Sequence, residues 1–419
     1  MSPSPISAPS FGSGDACPGA LRLHSADDGF LARVRIPGGV LDLGQARALG
    51  EAAERLGDGM LHLTSRGNVQ LRGLRDGCGG ELAERLGAAG LLPSAAHERV
   101  RNVVASPLSG LDGRGFVDVR EWLTGLDAAL CASSVTPELS GRFLFGLDDG
   151  RGDVVGLRPD VLVRGTASGA ADVFLGEAGV RVPYARAAEV AVAAAEVFVA
   201  AAREADGRVW RVRELGASRA ELADLLAAHP SLPPRGSAPD PAPQSPAGLE
   251  NDGAEVAGSD LGNLPPGAAG WARRPPVPRA DDDGVSPGFV TVGVPFGALK
   301  GEQWAALLAT ADREIRLTPW RGVVVPGGNA DDLTRVGLVA DPASPWNRVA
   351  ACIGRPGCAK SHADVRRDAA ARIEDAHPTL PTYWSGCERR CGHPVGPYVD
   401  VVARPDGGYT TTVPHHTES

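Results

Sequence analysis

The chain has 419 residues, of which 43% are hydrophobic, enough for two or three domains with well-buried cores. Its formal net charge of −9 is mild, and the sequence contains no block of roughly five or six like charges, so neither nucleic acid nor a membrane surface is expected as a partner. No signal-peptide pattern and no run of about 18 uncharged apolar residues is found, which predicts a cytoplasmic location with reduced cysteines.

A unit of strand, helix, strand, turn and strand is predicted over residues 21–95. Alternating apolar residues from Phe30 to Ile36 predict a strand with one apolar face and one partly basic face, on which Arg33 and Arg35 lie. Apolar residues at helical spacing from Leu43 to Leu56 predict a helix that ends at the following glycine. These patterns indicate an α+β half-domain.

The same unit occurs again later in the chain. The stretch from Gly29, "GFLARVRIPGGVLDLGQARALGEAAERLGDGMLHLTSRGNVQLRGL", is echoed from Gly288 by "GFVTVGVPFGALKGEQWAALLATADREIRLTPWRGVVVPGG". Beyond it, "RNVVASPLSG" from Arg101 lines up with "RVAACIGRPGC" from Arg348. The chain is therefore predicted to consist of two related halves. The predicted divisions are a disordered tail (1–20), a half-domain (21–95), an α+β domain (96–230), a Pro-, Ala- and Gly-rich flexible linker (231–287), a second half-domain (288–342) and a second α+β domain (343–419).

Four of the seven cysteines form two pairs near the C-terminus: Cys352 and Cys358 in C-x5-C, then, after a gap of 28 residues, Cys387 and Cys391 in C-x3-C. Structural zinc usually takes C-x2–4-C knuckles, and the first pair is too widely spaced for that. Disulfides are disfavoured in a reducing compartment. Neighbouring glycines leave room for backbone N–H groups to approach sulfides, so the preferred interpretation is a 4Fe–4S cluster, with zinc as an alternative.

Taken together, the cysteine pairs, the repeated unit with "LTSRGNVQ" and the stretch "RNVVASP" resemble the sulfite and nitrite reductase superfamily. The resemblance implies an α+β fold with duplicated ferredoxin-like half-domains and two nitrite/sulfite reductase-type domains about a pseudo-twofold axis. Within the superfamily, "CIGRPGCAKSHADVRRDA", "SGC" to "CGHP", "LTPWR" and "RFLFGLDDG" are most similar to the precorrin-3B synthase family.

This resemblance implies an oxygen-dependent monooxygenase of aerobic cobalamin biosynthesis that converts precorrin-3A to precorrin-3B. Dioxygen would hydroxylate a meso carbon, and the ring A acetate would close a lactone. The implied cofactors are a 4Fe–4S cluster on Cys352, Cys358, Cys387 and Cys391 and a mononuclear non-haem iron. The ligands of that iron and the catalytic residues are not assignable from the sequence, although His393 is the nearest candidate ligand. Because no dinucleotide-binding motif follows a predicted strand, electrons are expected from an external ferredoxin, flavodoxin or NADH-linked reductase.

A tetrapyrrole rim carries carboxylates, which planar guanidinium groups bind well. By similarity, Arg66, Arg101 and Arg142 match cations that line the active cleft of the reductases. Lys360, close to Cys358, is a further candidate for binding a substrate carboxylate. The alternative, given equal weight, is that Lys360 is an ordinary exposed lysine on the surface. Leu144 stands where the reductases carry a second lysine, which favours a substrate other than a small oxyanion.

Three other functions remain open at this point. An assimilatory ferredoxin-type sulfite or nitrite reductase would bind siroheme, with Cys391 bridging cluster and haem iron. A non-catalytic tetrapyrrole or electron carrier would need no substrate cleft, and a zinc-scaffold protein would need no iron. The bulky residues 388–390 between the last two cysteines depart from the family pattern.

Overall fold

The structure is a computed structural model that describes residues 18–205, 208–232, 288–394 and 396–413. The predicted tail and linker lie almost entirely outside these residues. The described part of the chain forms four β-sheets flanked by helices.

The first half-domain begins with a strand whose apolar face is buried, as the alternation predicts. Its first helix is opened by a capping box, in which the Asp42 side chain accepts from the backbone N–H of Gln45 and the Gln45 side chain accepts from that of Asp42. The helix spans Leu43–Leu56 and ends at Gly57, so that prediction is confirmed. The elements are β1 (His24–Ala26), β2 (Gly29–Val34), β3 (Val40–Asp42), α1 (Leu43–Leu56), β4 (Met60–Leu63), β5 (Val69–Leu74) and α2 (Gly79–Ala88).

The next domain is built on a five-stranded sheet of order β10-β9-β8-β7-β6, in which β6, β7 and β8 are parallel and the remaining pairs are antiparallel. These elements are β6 (Val103–Ala105), α3 (Arg120–Ala132), β7 (Phe145–Asp148), β8 (Val161–Gly165), β9 (Ala171–Leu175), β10 (Ala178–Val182), α4 (Ala187–Glu204) and α5 (Arg219–Ala228). The Ala-rich α4 is buried along most of its length against this sheet, which makes it a packed core helix.

The second half-domain exchanges edge strands with the first. Its elements are β11 (Phe289–Gly293), β12 (Ala298–Lys300), α6 (Gly301–Thr310), β13 (Glu314–Leu317), β14 (Gly322–Pro326) and α7 (Ala330–Arg335). Strand β12 pairs with β4 to complete the first sheet, of order β1-β2-β5-β4-β12, and β3 pairs with β13 to complete the second, of order β11-β14-β13-β3. The indole Nε1 of Trp304 on α6 donates to the Ala46 carbonyl at 2.8 Å, and both half-domains share one hydrophobic core.

The last domain repeats the parallel arrangement of the first α+β domain. It contains β15 (Val349–Ala351), α8 (Val365–Ala371), β16 (Thr382–Ser385), β17 (Val399–Ala403) and β18 (Tyr409–Thr412). Strands β15, β16 and β17 are parallel, and β18 pairs antiparallel with β17. In the same way β6, β7 and β8 are parallel, and β9 pairs antiparallel with β8. The predicted α+β fold of duplicated half-domains and duplicated α+β domains is thereby confirmed, while the exact domain boundaries stay predictions. Among the described residues, no helix has the length and apolar character needed to span a membrane.

Candidate functional site

The two cysteine pairs lie at one edge of the last sheet. The first cysteine loop (352–364) follows β15 and the second (386–394) follows β16, and the carboxyl ends of neighbouring parallel strands meet at the same sheet edge. The Cys352 N–H donates to the Trp384 carbonyl at 3.0 Å, and the Gly386 N–H donates to Cys352 Sγ at 3.1 Å. The His362 N–H donates to the Gly386 carbonyl at 2.8 Å. The two loops are therefore joined side by side.

The thiols influence one another electrostatically. Burial raises the pKa of Cys352, the N–H groups of Gly386 and Gly354 lower it, and the nearby Cys358 and Cys391 raise it further. The Tyr383 hydroxyl donates to the carbonyl of Cys391. Across the described residues, however, no three His, Cys, Asp or Glu side chains are grouped so as to hold a metal ion. The soft thiol donors and the amide directed at a sulfur fit an iron–sulfur cluster in chemistry, and the predicted ligand set stays a prediction.

The first half-domain holds the first cysteine loop in place. Arg72 donates from Nε and Nη2 to the two carboxylate oxygens of Asp28 at 2.9 and 2.8 Å, and from Nη2 to the Gly357 carbonyl at 3.3 Å. The Ala359 N–H donates to Asp27 Oδ2 at 2.8 Å. The turn between β1 and β2 thus clamps the residues on either side of Cys358.

Arg72 reaches this loop from a β-bulge. Between Leu71 and Leu74, strand β5 has one residue more than the facing part of β2, and Gly73 there has a φ of 62°. A bulge redirects side chains and interrupts pairing. Sequence reasoning missed Arg72, and the one signal for it was the glycine inside an otherwise regular strand pattern.

Two of the predicted substrate residues lie close together. Arg66 Nη1 donates to the Gly141 carbonyl at 3.5 Å, and Arg35 Nη2 donates to the same carbonyl at 3.2 Å. The adjacent Arg142 is exposed, and its guanidinium lies 4.1 Å from the centre of the Trp210 ring. The guanidinium groups of Arg35 and Arg66 therefore meet at the Gly141 carbonyl.

The other predicted site residues lie elsewhere. Arg101 is buried, forms two bonds of 2.7 Å to Asp127, and donates to the Leu91 carbonyl at 3.1 Å, which favours a structural role. Lys360 is exposed beside the clamped Ala359. The imidazole Nδ1 of His393 lies 2.8 Å from the Pro394 carbonyl, and its role as an iron ligand stays a prediction.

A second group of cations, which sequence reasoning missed, stands beside the cysteines. Arg366 on α8 donates from Nε to the Cys352 carbonyl at 3.2 Å. Burial lowers the pKa of Arg366 to about 10, and repulsion from Arg321 and Arg72 contributes to that decrease. Burial also lowers the pKa of Arg321 and raises the pKa of Tyr383. The electrostatic interaction between these two side chains partly opposes both shifts. The sequence selects the stretch "LTPWR", which contains Arg321, but it does not show where that side chain points.

The equivalent edge of the first α+β domain carries oxygen groups in place of sulfur. Ser106 follows β6 as Cys352 follows β15, and its Oγ accepts from the Asp149 N–H at 3.2 Å. The Ser106 hydroxyl donates to Asp153 Oδ1 at 2.6 Å. Burial and the neighbouring Asp148 raise the pKa of Asp153 to about 7. The backbone frame is thus repeated, but its chemistry is not.

The loop that follows β6 covers the face of the second sheet that corresponds to the arginine-bearing face of the first sheet. Arg316 Nη1 donates to the carbonyls of Pro107 and Ser109 at 2.9 and 2.8 Å, and Phe289 and Val324 pack against Leu108. These contacts bury the second sheet against the loop that follows β6. The described structure therefore favours one site, formed by the first sheet and the cysteine loops.

Comparisons with known proteins agree with this architecture. Residues 24–89 match the family model of the nitrite/sulfite reductase ferredoxin-like half domain. Over 412 residues the chain is 26% identical to a precorrin-3B synthase from Sinorhizobium sp., a match that covers 94% of this chain and 81% of that protein. It is 37% identical over 128 residues to a ferredoxin–nitrite reductase from Synechococcus elongatus, covering 29% of this chain and 25% of that enzyme.

Among solved structures, the NirA protein of Mycobacterium tuberculosis matches with a TM-score of 0.62 and 20% sequence identity, covering 91% of this chain and 73% of that one. This likeness confirms the nitrite/sulfite reductase-type fold. Together with the sequence matches, it supports the resemblance to that superfamily over most of the chain.

Proposed function

We propose that the chain catalyses the conversion of precorrin-3A to precorrin-3B with dioxygen. The observation that carries the proposal is the match to a precorrin-3B synthase over 94% of this chain and 81% of that protein. The chain is an enzyme of that type, an oxidoreductase, and the coarser role in the cobalamin pathway follows from the same match. In the proposed reaction one oxygen atom enters the substrate and the other leaves as water, with two electrons from an external ferredoxin, flavodoxin or NADH-linked reductase.

The guanidinium groups supply what a carboxylate-rimmed tetrapyrrole needs. Arg35 and Arg66 donate to the Gly141 carbonyl, and Arg142 is the next residue in the chain. Arg366 donates to the Cys352 carbonyl. Fixed cations keep carboxylates ionised and oriented, and an ionised ring A acetate is the form that attacks carbon to close a lactone. In this proposal the protein binds the tetrapyrrole as substrate.

The four predicted ligands Cys352, Cys358, Cys387 and Cys391 would hold a 4Fe–4S cluster, which supplies one-electron transfer when bound. The surrounding residues have positioning roles. The Gly386 N–H donates to Cys352 Sγ, and the Tyr383 hydroxyl holds the loop at Cys391. A mononuclear non-haem iron is a further proposed cofactor, whose ligands we do not assign.

A siroheme-dependent sulfite or nitrite reductase is the second candidate, favoured by the 37% identity to a ferredoxin–nitrite reductase. That match covers about a quarter of the reductase. In addition, Leu144 is 2% exposed and packs with Val104 and Val154, so the position carries no cation toward a bound anion. This packing argues for the tetrapyrrole substrate.

Anaerobic purification followed by an absorption spectrum, iron and sulfide analysis and assay with precorrin-3A and dioxygen tests the proposal. We expect broad absorption in the blue, about five iron atoms for every four acid-labile sulfides when the cluster and the mononuclear iron are both present, and a lactone product. Cys352→Ser should lose the cluster absorption, whereas Cys131→Ser, at an isolated half-buried cysteine on α3, should retain it. Sharp haem-type bands, or sulfite or nitrite reduction without precorrin turnover, would establish the siroheme reductase instead.

A further inference from the structure

Strand β16 ends in a buried hydroxyl, that of Ser385. The residue is 0% exposed, and within the described part of the chain no group donates to its Oγ or accepts from it. A buried polar group without a partner is costly, so its presence in a folded protein needs a physical reason.

Ser385 lies beside the first cysteine. Strands β15 and β16 are parallel, and their last paired residues are Ala351 and Trp384. Beyond that pair, the Cys352 N–H donates to the Trp384 carbonyl at 3.0 Å, and the Gly386 N–H donates to Cys352 Sγ at 3.1 Å. These two bonds come from the residues on either side of Ser385, which is therefore the neighbour of Cys352 across the strands.

The alternation of β16 gives the direction of this hydroxyl. Successive side chains of a strand point to opposite faces, so Ser385 shares a face with Tyr383 and not with Trp384. The Trp384 ring belongs to the hydrophobic core beneath α8, whereas the Tyr383 hydroxyl donates to the Cys391 carbonyl. Ser385 thus faces the side from which the tyrosine reaches the second cysteine loop.

The first α+β domain has the same arrangement with a different residue. The Ser106 N–H donates to the Leu147 carbonyl at 2.9 Å, and the Asp149 N–H donates to Ser106 Oγ at 3.2 Å. These bonds repeat those made by the backbone on either side of Ser385. The residue between them is Asp148, which is therefore the counterpart of Ser385 in the first half of the chain.

Asp148 shows what a side chain at this position can reach. Its carboxylate accepts from the N–H groups of Gly150 and Gly152 at 2.9 Å each, and from that of Val154 at 3.3 Å. Gly150 and Val154 follow Asp148 by two and six residues, and the two cysteines of the second cysteine loop follow Ser385 by the same two and six residues. The position therefore points into the loop that follows its strand. Serine carries no charge and a single oxygen, so it cannot replace the carboxylate as the acceptor there, but it can donate.

We infer that the Ser385 hydroxyl donates a hydrogen bond to a sulfur of the 4Fe–4S cluster and thereby raises the reduction potential of that cluster. The inference rests on the cluster of the proposed function, and it adds a positioning residue that lies outside the cysteine motif. Hydrogen bonds to the sulfurs stabilise the reduced state, because that state carries one more negative charge. The Gly386 N–H, which donates to Cys352 Sγ, is the neighbouring donor.

The substitution Ser385→Ala removes the hydroxyl and little else. The measurement is an anaerobic redox titration of the cluster-containing protein, followed by electron paramagnetic resonance. We expect the equilibrium constant for one-electron reduction of the cluster to fall about tenfold, the size of one hydrogen bond to a charged group, which lowers the midpoint potential by about 59 mV. The iron and sulfide contents should equal those of the wild type, because the four cysteines are unchanged.

Thr382→Val is the matched control. The Thr382 hydroxyl is likewise buried without a partner among the described residues, but it lies on the opposite face of the same strand, so its loss should leave the potential unchanged. Ser385→Thr is the second variant, which keeps the hydroxyl and should retain the wild-type potential.

Three results would overturn the inference: a wild-type potential in Ser385→Ala, an equal shift in Thr382→Val, or a threonine variant at position 385 shifted as far as the alanine variant. Wild-type protein that takes up no iron and sulfide would refute the cluster of the proposed function itself, and the inference with it.

Discussion

Replacing Asp28 by Asn should release the first cysteine loop from the first half-domain. Asp28 accepts both bonds of Arg72, which also donates to the Gly357 carbonyl. The Arg72 side chain is 10% exposed and that of Asp28 is 22% exposed, so the pair is largely removed from water. Breaking a fully buried pair costs roughly 3–5 kcal/mol, because one charge is left uncompensated. With partial exposure of Asp28, solvent screening reduces the expected cost to about 2 kcal/mol.

The measurement is amide hydrogen exchange of residues 353–360 by mass spectrometry, together with the denaturation midpoint. A cost of about 2 kcal/mol corresponds to roughly thirtyfold faster exchange in the loop. The control is Glu81→Gln, which removes exposed ion pairs with Arg55 and Arg85 in the same half-domain and should leave the exchange of residues 353–360 unchanged. If Asp28→Asn exchanges in this loop as slowly as the wild type, the pair does not hold the loop, and the clamp is refuted.

Three further substitutions test the packing. Asp153→Asn should flatten the pH dependence of stability. The pKa of Asp153 is about 7 in the folded protein and 3.8 for an ordinary aspartate, so the wild-type stability falls as the pH rises between these values. Between pH 5 and pH 7 the variant should lose about 2 kcal/mol less in urea denaturation than the wild type; equal losses would refute the shifted pKa. Trp304→Phe removes the bond to Ala46 and should cost about 1 kcal/mol by the same method, and no loss would show that this contact between halves is dispensable. Asp127→Asn should destabilise the protein by about 2 kcal/mol but leave the affinity for uroporphyrin, a tetrapyrrole with eight carboxylates followed by its fluorescence, unchanged. Weakened binding in a folded variant would return Arg101 to the substrate site.

Periodicity and self-similarity were sufficient to predict the repeated half-domains, because each core strand and helix buries one face of its own segment. The exchange of β3 and β12 between the sheets could not be predicted in this way. Each is a strand of three residues, too short for a periodic signal, and its partner lies on the other half of the chain. Pairing of this kind depends on how the halves dock, which local sequence does not record.

For a related reason, the sequence predicted the cysteines of the candidate site but not most of its arginines. The spacing of the cysteines indicated a cluster because all four lie on two neighbouring loops of one sheet edge. The cations depend on contacts between distant segments: Arg72 meets Gly357 across 285 positions. Motif similarity selected Arg101, but a carboxylate on α3 pairs with that guanidinium inside the domain. Residue type alone could not distinguish a binding arginine from one whose partner is already built into the fold.

Comparison of the two halves supplies the information that single segments lack. Ser106 and Cys352 receive the same kind of backbone N–H bond in the two α+β domains, and Gly67 and Arg321 occupy the same left-handed position in the two half-domains. The backbone frame therefore accepts either residue in each pair, and the frame alone does not explain the choice. Because glycine relieves strain at position 321, the arginine there requires a compensating gain outside the turn. That gain lies along the side chain: a Cβ added to Gly297 would lie 2.7 Å from Cδ of Arg321, so the backbone at Gly297 leaves room for the stem of this arginine.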